Sequence, residues 1–187
     1  MPVRVFPLLY LTLAFVTLIG IFQSGAQSLS LAMGLSGGYA PVLNYGTARE
    51  AGAEIAIFGD IEYARAIARL QFTDVLAGTV DNDKLESGYA IHGSLGYKVP
   101  VSAQVFVPVM LTGGAGFVRY HSGFGSGGNT YFDASPQIGL TISPCWNLSE
   151  SLVLQLAARY IHGFAAGVGS YPVIMSDVMI GIRYSLL

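Results

Sequence analysis

Residues 173–187 alternate apolar with polar or small side chains. Val178, Ile180, Ile182, Tyr184 and Leu186 share one face, and Asp177, Met179, Gly181, Arg183 and Ser185 share the other. Period two is the spacing of a strand, because a helix would gather its apolar residues three and four apart. The pattern recurs in several other segments behind an apolar N-terminal run. Together these predict a closed barrel that turns its apolar face to lipid and its polar face to a lumen.

The first 26 residues read as targeting sequence. Arg4 supplies a positive start, 6–22 is almost unbroken apolar, and Gln23-Ser24-Gly25-Ala26 offers small residues before a cut. A secretory signal cleaved after Ala26 is expected. The alternative is a retained anchor, since about 17 apolar residues is near the lower limit for spanning. No cysteine follows the run, so lipid attachment is not indicated. The remainder, 27–187, is long enough for one domain and hardly for two.

Composition narrows the function classes. Charged residues are 11% of the chain, against roughly 25% in soluble domains, and mean hydropathy is +0.55. The net charge of −2 gives no basis for nucleic-acid binding. Cys145 has no partner for a disulfide, and no Cys/His cluster has metal-ligand spacing, so no cofactor is expected.

A helical membrane protein is the rival reading, because 99–118 carries no charge. That run contains Pro100, Pro108, Gly113, Gly114 and Gly116 among many valines. Proline removes a backbone donor, glycine weakens a helix and valine favours strands. Elsewhere a helical bundle would have to bury Arg, Asp and Glu in several segments. Strands cross in about 9 to 11 residues and can point every charge inward.

Eight strands are predicted, near 29–39, 49–58, 62–75, 87–98, 106–120, 131–142, 152–161 and 173–187. Loops are expected near 40–48, 76–86, 120–130 and 163–172, and turns near 59–61, 99–105 and 143–150. The third strand is the most ambiguous, since Ala-Arg-Ala-Ile-Ala-Arg-Leu (64–70) also suits a helix. An even strand count favours a strand there. The fold class is all-β: an eight-stranded antiparallel up-and-down transmembrane β-barrel after a cleaved N-terminal signal peptide.

The segment Pro136-Gln-Ile-Gly-Leu-Thr-Ile-Ser-Pro-Cys-Trp-Asn-Leu-Ser-Glu-Ser-Leu-Val-Leu-Gln-Leu-Ala-Ala-Arg-Tyr160 resembles a hairpin of small outer-membrane barrels of the OmpA and OmpX type. Gly181-Ile-Arg-Tyr-Ser-Leu186 resembles their C-terminal assembly signal, in which Gly181, Tyr184 and Leu186 are the matching positions. The resemblance implies localisation in the outer membrane of a Gram-negative-type bacterium, with the four loops outside and the three turns periplasmic. It implies outer-membrane lipid, lipopolysaccharide and the insertion machinery as partners, and a monomer. Trp146, Tyr97, Tyr160 and Tyr184 would lie near the membrane interfaces, the alternative for each ring being ordinary strand packing. The chain departs from the family by ending in Leu186-Leu187 where an aromatic residue is usual.

Inward parity collects Glu54, Arg65, Arg69, Asp133, Arg159, Asp177 and Arg183 into a lumen charge network. Buried charges must pair or bear a heavy desolvation cost, so a salt-bridged plug is expected. The same residues could instead line a gated pore or a polar ligand site. His92 and Ser94 also share the inward face, and some barrel lipid A deacylases use a His-x-Ser pair. Lipid chemistry needs a site on the outer wall, so the chain is not expected to be an enzyme. Gly113, Gly114 and Gly116 lack the Lys-Ser/Thr of a phosphate loop and are read as relieving crowding. Two functions follow: a structural or surface-interaction barrel, or a narrow channel or small apolar-ligand conduit. Because Leu186 takes the place of an aromatic residue, Leu186→Phe should insert into outer-membrane vesicles at least as efficiently as the parent; a clear fall in inserted fraction would remove the assembly-signal assignment.

Overall fold

The structure is a computed structural model that describes residues 29–45, 48–77, 83–122, 129–167 and 171–186. The export signal expected at 1–26 lies outside the described residues. Nine β-strands follow in chain order: β1 Leu29–Tyr45, β2 Ala48–Tyr63, β3 Ala66–Ala77, β4 Asp83–Pro100, β5 Val105–Ser122, β6 Asn129–Ile142, β7 Cys145–Asn147, β8 Leu152–Gly163 and β9 Val173–Ser185. Each pairs antiparallel with its neighbours, and β9 returns to β1 from Tyr45↔Val173 to Ala32↔Ser185. That last ladder closes the sheet on itself.

The short β7 continues β6 along the same stave. Pro144 has no N–H to give a ladder, yet both sides of the break stay bonded: Ser143 N donates to Pro108 O at 2.9 Å and Leu156 N to Pro144 O at 2.9 Å. The barrel therefore has eight staves. The Ala-rich segment that also suited a helix is strand β3.

The pattern of burial is that of a soluble barrel turned inside out. Leu70 is 66% exposed and Leu111 61%, while their chain neighbours Arg69 and Thr112 are 4% and 1% exposed. On β9 the predicted faces hold: Val178, Ile180, Ile182, Tyr184 and Leu186 point out, and Asp177, Met179 and Arg183 are buried. On β3 the outward positions carry no charge between Arg65 at the turn and Asp74. Nine residues rise about 30 Å along a strand, or about 23 Å at the usual barrel tilt of ~40°, close to the ~25 Å apolar band of outer-membrane barrels.

Strands run further than their turn signals suggested. Gly59-Asp60, expected to form the first tight turn, lies inside β2, which pairs with β3 up to Tyr63↔Ala66. The chain turns at Ala64 and Arg65, with Ala64 at φ 53°. Gly-Asp is a good turn signal locally, but here Asp60 is held inside by two arginines. Most of the predicted 40–48 loop is likewise strand. A bulge between Ala40 and Leu43 absorbs Pro41 and resets the parity of β1, so that Leu43 and Tyr45 point inward after it.

Inward glycines let staves approach closely at the barrel's bends. A Cβ on Gly114 would collide with the Ile91 carbonyl oxygen, and one on Gly116 with the Gln137 side chain. Gly113 faces outward, where a Cβ would meet only the Gln137 carbonyl oxygen at 3.8 Å. Crowding thus explains two of the three glycines.

Two outcomes test this architecture. Because the barrel pairs its backbone internally, it should resist detergent until heated, so boiled and unboiled samples should migrate differently on a denaturing gel. Leu111→Arg, near the middle of the apolar band, should lower unfolding free energy in bilayers by about 2 to 4 kcal/mol. A cost near zero would mean that this wall faces water.

Candidate functional site: the barrel interior

The interior is built in layers. At the turn end, β2 carries Asp60 and Glu62 inward, β3 carries Arg69, β4 carries Lys98 and β9 carries Arg183. Arg69 grips Asp60 with two parallel bonds, Nε to Oδ1 at 2.7 Å and Nη2 to Oδ2 at 2.8 Å. Arg183 reaches the other side of Asp60 at 3.0 Å and Glu62 at 2.6 Å. Lys98 closes the chain on Glu62 at 2.8 Å. Arg69 also donates to Gln155 Oε1 at 3.1 Å and lies 4.0 Å over the Phe58 ring. Forked guanidinium–carboxylate pairing is the strong form of charge-assisted bond, and each cation here meets an anion.

One layer up, Arg159 makes a similar fork on Asp177, with Nη2 to Oδ2 at 2.7 Å and Nε to Oδ1 at 2.8 Å. The two residues are register partners on β8 and β9. Arg159 also donates to Thr73 Oγ1 at 3.1 Å and stands 3.7 Å from Glu54 Oε2. Glu54 shares this arginine without a hydrogen bond of its own. Neutral side chains extend the layer. His92 Nε2 is 2.8 Å from Gln137 Oε1, Gln137 donates to Val173 O at 3.0 Å, and Ser94, Thr112 and Thr141 form a hydroxyl chain at 2.9 and 2.8 Å.

The loop end is different. Ala40, Leu43, Tyr45, Val75, Ala90, Val118, Ile161, Val173 and Met175 form one buried apolar cluster inside the barrel. Ser135 ties its margin together, accepting from Val173 N at 3.2 Å and donating to Phe164 O at 2.8 Å. Period-two parity could not announce this layer, because parity says which face a residue takes and not what the opposite wall presents. The β1 bulge, visible only as Pro41 in the sequence, was the available clue.

Among the charges assigned to the lumen by parity, Glu54, Arg69, Arg159, Asp177 and Arg183 are buried. Arg65 is a correction. With the turn at residues 64–65 in place of 59–61, it falls outside the lumen, exposed, with Nη1 3.3 Å from Tyr97 Oη. Asp133 is only half buried and stands apart from both ionic layers, accepting from the Tyr45 hydroxyl. Asp60, Glu62 and Lys98 were missed, the first two because they sat in and beside an assumed turn. Gln155, next to Leu154 in the chain, is buried and accepts from Arg69.

Other candidates resolve into packing. His92 and Ser94 bond to different partners, Gln137 and Thr112, and make no His–Ser pair. Cys145 is buried and free, its thiol donating to Ser143 O at 3.2 Å. Among the described residues, no group of three or more His, Cys, Asp or Glu could hold a metal ion. Trp146, Tyr97, Tyr160 and Tyr184 all face outward. Outside, near the loop end, Tyr89 stacks on Phe117 at 4.9 Å, with Phe132 and Phe72 alongside.

No protein-family model matches the chain, and no curated protein does. Solved structures match its fold. Neisserial surface protein A superposes with a TM-score of 0.66 at 12% identity, over 84% of this chain and 98% of that one. A major outer membrane protein from Thermus thermophilus gives 0.62 at 10% identity, over 85% and 100%. Ail, the attachment invasion locus protein of Yersinia pestis, gives 0.54 at 13% identity, over 84% and 97%. The chain has the closed eight-stave fold of small outer-membrane β-barrels.

Proposed function

We propose that the chain is an integral outer-membrane barrel of a Gram-negative-type bacterium, exported by residues 1–26, whose lumen is sealed and whose role is structural or surface interaction. The observation that carries the sealed lumen is the stacking of two different closures. Four buried or half-buried cations, Arg69, Lys98, Arg159 and Arg183, are each paired with Glu54, Asp60, Glu62 or Asp177. Above them lies the apolar cluster around Leu43, Val118 and Ile161. An ion crossing would have to break the first and be desolvated in the second.

Surface interaction fits the loop end, where the aromatic cluster of Tyr89, Phe117 and Phe132 lies on the outer wall. Rings at that level suit contact with lipopolysaccharide and with envelope or host surfaces. The attachment role in the printed name of the Yersinia pestis protein agrees with this reading. Assembly by the outer-membrane insertion machinery through Gly181, Tyr184 and Leu186, and function as a monomer, complete it.

A second reading rests on the apolar cluster itself. A small apolar molecule meeting Leu43, Val75 and Met175 would find a compatible surface, which suits a narrow conduit.

Planar-bilayer recording combined with Asp177→Ala separates the two. For a sealed barrel the parent conducts little, and the variant strands Arg159, lowering stability by roughly 3 to 5 kcal/mol, less if water enters. Lys98→Ala, at a partly exposed pair, should cost under about 1 kcal/mol. Steady conduction by the parent, with Asp177→Ala changing ion selectivity but not stability, would instead establish a hydrated pore.

A further inference from the structure

The outer wall carries a groove of about 700 Å³ whose walls include Met33, Ile57, Leu70, Phe72 and Tyr184, with Gly59 at its floor. Gly59 faces outward in register between Met33 and Leu70. A Cβ there would meet nothing nearer than the Ala32 carbonyl oxygen at 3.9 Å. Packing therefore does not demand glycine, and its effect is to leave the wall hollow. Towards the turn, the outward residues of β3 are the small Ala66 and Ala68.

Arg65 stands at the foot of the same β2–β3 hairpin. It is the one exposed cation at the turn end among the described residues, it forms no ion pair with a described carboxylate, and Tyr97 Oη lies 3.3 Å from its Nη1. Glu150, the exposed acid of that end, sits on the turn before β8, across the barrel. Leu70 is five residues from Arg65, about 16 Å along the strand and about 12 Å in depth at the usual tilt. That lies within the ~15 Å half-thickness of a bilayer's hydrocarbon core. A headgroup phosphate at Arg65 would thus place an acyl chain beside Gly59.

Resting on the membrane-spanning reading above, we propose that this wall seats one glycerophospholipid of the turn-side leaflet, with its phosphate on the Arg65 guanidinium and Tyr97 hydroxyl and an acyl chain in the Gly59 groove. A guanidinium with a neighbouring hydroxyl matches the oxygens of one phosphate. Apart from the Tyr184 hydroxyl, the groove is lined by apolar side chains and glycine, as an acyl chain requires. A second copy docking here would bring no exposed carboxylate of its β2–β3 turn to Arg65. A many-chain lipid with two phosphates would call for further cations, and Arg65 is the one exposed cation described at this end.

Native mass spectrometry of the detergent-purified barrel, titrated with phosphatidylglycerol, tests the site. The parent should retain one lipid, and Arg65→Gln should weaken retention about tenfold, as loss of a charge-assisted bond implies. Gly59→Leu, which fills the groove, should also weaken it, and diacylglycerol of the same chain length should be retained equally poorly by all three. Equal retention by parent and Arg65→Gln overturns the site. So does preferential retention of lipid A, or a dimer in place of a lipid adduct. Each sample is first checked for its heat-dependent gel shift: a barrel that shifts but holds no lipid defeats only the lipid site, whereas a chain that never forms the heat-sensitive species defeats the membrane-spanning reading with it.

Discussion

Hydrocarbon offers no hydrogen bonds, so any wall within it must satisfy every backbone N–H and C=O from its own chain. In this protein the requirement is met by the β1–β9 ladder, which runs from Tyr45↔Val173 to Ala32↔Ser185 and removes the two edges an open sheet would expose. Closure with eight staves leaves an interior only wide enough for side chains to fill. The remaining choices follow: the outward set becomes apolar, the inward set is freed from facing lipid, and its polar members must satisfy themselves without bulk water.

The interior meets that demand in two chemistries. In the two ionic layers the charges are shared, Asp60 between Arg69 and Arg183, Glu62 between Arg183 and Lys98, and Arg159 between Asp177 and Glu54. A buried pair is weak evidence for net stability, since desolvation offsets much of the attraction, but removing one partner is costly. Towards the loop end, Leu43, Val118, Ile161 and Met175 pack against one another, with Glu50 buried in register with Leu43 and Asp133 on the Tyr45 hydroxyl.

On the outside, the wall is not uniform. Glycine at position 59 and alanine at 66 and 68 thin it on one side, above an arginine that pairs with no described carboxylate. The aromatic rings of Phe72, Tyr89, Phe117 and Phe132 thicken it near the other rim. The hollow runs inward from the turn-side rim and the rings lie near the loop-side rim, so the surface is graded to the membrane it is read to occupy.

Alternation along the chain determined the strands, their faces and the closed architecture, because in a two-residue period local sequence and membrane solvent say the same thing. The five lumen charges Glu54, Arg69, Arg159, Asp177 and Arg183 were legible for that reason. Where the chain reverses, and what each inward residue meets across the lumen, depended on tertiary structure. Gly59-Asp60 carries the local chemistry of a turn, yet two arginines from β3 and β9 hold Asp60 inside, and the reversal moves to Ala64 and Arg65. That shift by a few residues brought Asp60 and Glu62 into the ionic layer and sent Arg65 out to the membrane surface. The apolar layer was equally hidden, since its members are spread over six strands from β1 to β9 and become neighbours only when the barrel closes.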